Sequence, residues 1–182
     1  MMNKETLEKL KARTARTAVG ASTAQKMGPK GTITAAREFL QGVNLRKFGA
    51  AKTERTYFRL LDAETIALRN ALPRTAQHWG SARKFLNIFL RNCAYNKYLC
   101  GAYGLDAIEQ WMEVPLDSHV ASGLKQQPEG TELPRWRTVI GLTPEESAVL
   151  QEVASRIANR EGIARVHLDV HYWNGPHVKP RP

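Results

Sequence analysis

The stretch from Ser81 to about Leu99 most limits what this chain can become. Within it Ala82, Leu86, Phe89 and Cys93 fall at i, i+4, i+7 and i+11, with Phe85 alongside. That is the period of a helix with one wide apolar face. Shorter pieces repeat the pattern. Thr34 can cap a helix through Gln41, with Ala35, Phe39 and Leu40 inward. Residues 53–61 give an amphipathic turn or two, and Asp62 with Thr65 restarts a helix to Ala71, stopped by Leu72-Pro73. Thr143-Pro144-Glu145-Glu146 joins an N-cap, a proline at the first helical position and a glutamate at the third. Val149, Leu150, Val153, Ala154 and Ile157 form its inner face and Gly162 its stop. The expected fold is all-α: one helical domain over residues 1–182, with a basic arm and loop at 1–32 and a helical core at 33–182.

Charge narrows the partner. Lys and Arg number 27 against 17 Asp and Glu, a formal net charge of +10. Such an excess favours a polyanion, nucleic acid first and an anionic membrane surface second. No run approaches the 18 apolar residues of a membrane span. The N-terminal MMNKETLEKLKARTARTA lacks the apolar core of a signal peptide. The expected place is the cytoplasm, on the nucleoid if the source is bacterial or archaeal. Cys93 and Cys100 lie seven apart inside a predicted helix, a spacing that fits no zinc or iron–sulfur pattern. No iron–sulfur cluster, metal or other cofactor is expected. His167, His171 and His177 lack the carboxylate motif of a zinc protease.

Two residues at helix starts carry the chemistry. Gly80 launches the long helix, and Lys84 falls in its predicted first turn, off the apolar stripe on the side of Ile88 and Arg91. The dipole there lowers a lysine's pKa and favours its nucleophilic form, although a solvated surface lysine fits the position equally. Val114-Pro115-Leu116 reads as extended, and Asp117 then has the place of an N-cap for a helix through Leu124. A capped, permanently charged carboxylate also suits a place beneath a developing cation.

The remaining candidates are basic or aromatic. Lys26 and Lys30 stand beside Gly28 and Gly31 in a loop that can hold a phosphate, without the Gly-Lys-Ser/Thr end of a nucleotide P-loop. Arg135-Trp136-Arg137 fits either a phosphate and base contact or a tryptophan closing the core between solvated arginines. If residues 165–173 are helical, Asp169 and Trp173 share a face as i and i+4, a carboxylate beside an indole.

Gly80-Ser81-Ala82-Arg83-Lys84 ahead of a long helix, followed by Val114-Pro115-Leu116-Asp117-Ser118-His119-Val120, resembles the lysine helix and Pro-x-Asp segment of the helix-hairpin-helix DNA glycosylases. The closer likeness is to the archaeal 8-oxoguanine DNA glycosylase branch, where the lysine and aspartate are also far apart. His167-Leu168-Asp169-Val170-His171-Tyr172-Trp173 is similar to that branch's C-terminal block. The resemblance covers about residues 78–124 and 142–174. The usual pair of hairpin glycines is missing, and His78-Trp79-Gly80-Ser81-Ala82 stands in its place.

The resemblance implies a two-lobed helical bundle with a central cleft. It implies a bifunctional glycosylase and AP lyase acting on duplex DNA with an oxidised or otherwise modified base. Lys84 would attack the sugar, and Asp117 would deprotonate the lysine and stabilise the cationic transition state. Asp169, Trp173 and Pro115 would line the base pocket. Lys26, Lys30, Arg83, Arg135 and Arg137 are expected contacts to the DNA backbone. The alternative is a basic DNA- or RNA-binding helical module without chemistry.

Overall fold

Helix α5 (Trp79–Tyr95) is the element around which the larger part of the fold packs in the computed structural model, which describes residues 2–174. In chain order the helices are α1 (Lys4–Ala18), α2 (Thr32–Gly42), α3 (Leu45–Gly49), α4 (Glu54–Ala71) and α5. They continue with α6 (Lys97–Tyr103), α7 (Ser118–Lys125), α8 (Pro144–Glu161) and α9 (Leu168–Asn174). Short 3-10 turns lie between them, at Leu105–Trp111 among others, and the described residues contain no strand. The protein is all-α, as its periodicity predicts.

Three boundaries differ from expectation, each for a local reason. The long helix begins at Trp79 and breaks after Tyr95, because Asn96 turns extended and its side chain caps α6 through the Tyr98 and Leu99 amides. Residues 54–71 form one helix. Thr65 donates its hydroxyl to the Leu61 carbonyl at 2.7 Å, so it is satisfied inside the helix without ending it. Helix α2 starts at Thr32, after Gly31 in the left-handed region (φ 98°). The α8 start is as read, with both halves of a capping box present and Gly162 left-handed at its end.

Two hydrophobic clusters form. The larger joins α1, α2, α4 and α5 through residues such as Leu40, Phe48, Tyr57, Leu61, Phe85 and Phe89. The smaller joins α7, α8 and α9 through Val120, Leu124, Leu150, Val153, Ile157 and Leu168. Each large apolar side chain so buried stabilises the fold by roughly 1.5–3 kcal/mol. Trp136 is half-buried and packs against both clusters. The chain crosses from one cluster to the other along Met112–Asp117, which is extended and buried throughout.

Helix α1 of the basic arm is docked on the rest of the fold. Asn3 caps α1, and Ala15, Ala18 and Val19 are fully buried against the main cluster. The buried residues of this helix are Lys11, Thr14, Ala15 and Ala18, with Leu7 and Leu10 partly buried beside them. Cys93 and Cys100 are free thiols. No described helix is long and apolar enough to cross a membrane.

Gly80 sets a close approach. A Cβ there would stand 2.1 Å from the Val139 carbonyl oxygen and 2.8 Å from Leu142 Cβ. Gly80→Ala is therefore expected to destabilise the fold by about 1–3 kcal/mol, since backbone must shift to make room. Urea unfolding checks this; an unchanged midpoint would mean that the 139–142 segment is not held against α5.

A candidate lysine–aspartate active site

Lys84 and Asp117, 33 positions apart, meet. The Lys84 amine lies 3.6 Å from Asp117 Oδ2, and both side chains are 8% exposed. The geometry divides the work of the carboxylate. Oδ1 accepts the amides of His119 and Val120, each at 3.0 Å, while Oδ2 faces the lysine. Asp117 thus caps α7 and pairs with Lys84 at once.

Lys84 sits in the second turn of α5, not the first, because the helix begins at Trp79. Burial, rather than the helix dipole, is what pushes its pKa below the ordinary lysine value, and Asp117 pulls it partly back. The amine also donates to the Thr23 carbonyl at 3.5 Å. Thr23 belongs to the 19–31 loop, whose Met27 is buried against the main core. Lys26 and Lys30 are exposed on that loop.

The segment that delivers Asp117 is gripped from both sides. From α8, Gln151 donates to the Val114 carbonyl at 2.8 Å and accepts the Val114 amide at 3.2 Å. Arg165 donates to the carbonyls of Trp111 and Met112 at 3.0 and 3.1 Å. From α5, Arg83 binds both oxygens of Glu113, at 2.8 and 3.0 Å, and Asn87 donates to the same carboxylate at 2.9 Å. Pro115 is buried within the segment.

Arg83 corrects one expectation. It is buried, bound to Glu113, Asp62 and Thr65, and lies over the Trp79 ring. A guanidinium so enclosed does not reach a DNA phosphate. Arg135 and Arg137, by contrast, are exposed on either side of Trp136.

Burial opposes ionisation of Glu113, but the charge and hydrogen bonds of Arg83 prevail and hold its carboxyl below the ordinary glutamate value. A depressed carboxylate contributes stability that is present above the unfolded pKa of about 4.3 and is lost as pH falls through the folded value. Acid unfolding of the parent is therefore expected to lose part of its pH dependence below about pH 4 in Glu113→Gln. Thermal melts across that range check the sign. Lys84 acts in the opposite region: its cost is present at neutral pH and is relieved as pH rises toward about 10.4.

Asp169 and Trp173 do lie on one helix, α9. Asp169 is nearly buried and pairs with Arg91 of α5. Arg91 is Lys84+7, on the same side of α5, and its role was missed although that spacing was legible. Trp173 is 45% exposed, its ring 4.4 Å from that of His119, which follows Asp117 by two residues. The Lys84–Asp117 and Arg91–Asp169 pairs are thus both built on α5, and the Asp117 charge also acts on Arg91. His167 is not part of it: Tyr95 and Glu109 engage its two ring nitrogens at 2.8 and 3.3 Å. The described residues contain no group of three or more potential metal ligands, and His177 lies outside them.

A lysine whose pKa burial lowers, with a fixed carboxylate beside it, can attack an electrophilic carbon once neutral and pass on its proton. No family model, no curated protein and no solved structure matches this chain.

Proposed function

We propose that this chain is a DNA glycosylase with lyase activity, of the helix-hairpin-helix kind with a central cleft. The observation that carries the reading is the buried pairing of Lys84 with Asp117 across 33 positions of chain. The Arg91–Asp169 pair, and the Trp173 ring against His119 two residues past Asp117, support a base pocket near the lysine. The net charge of +10 supports a polyanionic substrate.

In this reading the neutral Lys84 amine forms a bond to the sugar carbon that bears the base. The glycosidic bond breaks, and its electron pair leaves with the base, which takes up a proton. Asp117 accepts the proton shed by the lysine nitrogen and stays close to the cationic sugar. Ring opening gives an imine, and loss of the adjacent sugar proton expels the 3′ phosphate. The base must first leave the helix stack, at a cost of a few kcal/mol. Lys26 and Lys30, exposed on the 19–31 loop, would bind phosphate.

Borohydride trapping on duplexes carrying different oxidised and alkylated bases tests this. A covalent protein–DNA adduct is expected with the parent, and one reduced about 10²–10⁴-fold with Asp117→Asn. Tight, salt-sensitive binding with neither adduct nor base release on any duplex would leave a non-catalytic nucleic-acid-binding module.

A further inference from the structure

We infer that the buried Arg83–Glu113 pair is the positioning device of the Lys84–Asp117 pair, a role that rests on the glycosylase reading for its catalytic consequence. Arg83 and Lys84 are neighbours on α5, and Glu113 and Asp117 stand four apart on one extended segment. Two ion pairs therefore bridge the same two elements. Arg83 holds Glu113 through two short bonds, with Asn87 as a third donor. Lys84 meets Asp117 at 3.6 Å, too long to hold the segment by itself. The first pair is short, forked and enclosed; the second is loose enough to react.

The far side of the segment is held as firmly. Gln151 binds both backbone groups of Val114, the residue after Glu113. The Glu113 clamp to α5 and the Val114 clamp to α8 act on adjacent residues. Between them they set the distance from α5 at which the next few residues, Asp117 included, can lie. Asp117 is the carboxylate that faces Lys84 at 3.6 Å, so the ionisation of Lys84 reports where Asp117 sits.

A stability role and a positioning role separate in the variant Arg83→Met/Asn87→Leu/Glu113→Leu. Replacing a buried ion pair by apolar groups of similar size is often neutral or stabilising. It also removes the bonds that fix the segment. Reductive methylation of Lys84 with formaldehyde and cyanoborohydride, followed by peptide mass mapping against pH, reads the lysine without any DNA. In Asp117→Asn the pH midpoint of labelling falls, because the charge that raises it is gone. The triple variant, melting near the parental temperature, is expected to show a midpoint lowered in the same direction. A parental midpoint overturns the inference. If the triple variant does not fold, Glu113→Gln takes its place under the same criterion.

A second arm uses lesion-bearing DNA. The triple variant is expected to trap DNA about 10–100-fold more slowly at unchanged affinity, since a misplacement of an ångström can cost about 10²-fold. Trapping at the parental rate overturns the inference. A parent that forms no adduct defeats the glycosylase reading alone, and the labelling arm still decides whether Arg83 and Glu113 place Asp117.

Discussion

Lys84→Met is expected to reduce covalent trapping and strand cleavage by at least about a thousandfold, with DNA affinity kept within a few-fold. Methionine retains the length and the apolar stem but has no nitrogen to attack with. The amine it removes is nearly buried, so little phosphate binding goes with it. The variant is expected to lose some stability at neutral pH, because Asp117 Oδ1 keeps its two amide partners but the buried Oδ2 loses the lysine it faces. In the parent, the rate should rise with pH through an ionisation below the ordinary lysine value of about 10.4. Asp117→Asn should move that ionisation lower still while slowing the reaction. A variant that binds DNA several hundredfold more weakly, with the residual complex still trapping, would make Lys84 a phosphate contact instead.

Glu113→Ala carries the largest expected effect on stability. It leaves the Arg83 guanidinium buried with only Asp62 and Thr65 as partners and strands the Asn87 amide. Removing one member of a buried ion pair costs about 3–5 kcal/mol. For a chain of this size that is a fall in Tm of roughly 10 °C. Differential scanning calorimetry gives the value. A fall of only a degree or two would mean that water reaches Arg83 in the variant, and that the pair is less enclosed than its geometry requires. Arg83→Met alone should be comparably damaging, because it leaves Glu113 charged and buried.

Much of the helix pattern was legible because it is local. The Thr143 capping box, the Gly162 stop and the Asp117 cap each depend on contacts within four residues, and all three are present. The α5 stripe was equally readable. The break at Asn96 was not: it depends on a side chain choosing to cap the next helix rather than extend the last. Helix α4 was read as two because Asp62 and Thr65 look like a restart. In the folded chain Thr65 bonds back within its helix, and Asp62 reaches Arg83 on α5.

The site was legible in its members more than in its relations. Lys84 and Asp117 could be named from their places at helix starts and from a family likeness. Arg83 was mistaken for a surface cation because a one-dimensional pattern cannot distinguish a solvated arginine from one that meets a carboxylate 30 positions away. Arg91 was seen only as a neighbour of Lys84 for the same reason, its partner Asp169 lying on another helix.

Residue order alone committed this protein to helices, to an excess of positive charge and to an aspartate that caps α7, since propensity, composition and capping act over a few bonds. The meeting of Lys84 with Asp117, the enclosure of Arg83 with Glu113 and the docking of α1 were settled by folding. Each is a pairing between distant segments, and its strength comes from the exclusion of water by both hydrophobic clusters. A lysine becomes a candidate nucleophile, and an arginine a structural clamp, only when packing has removed the solvent that would make the two alike.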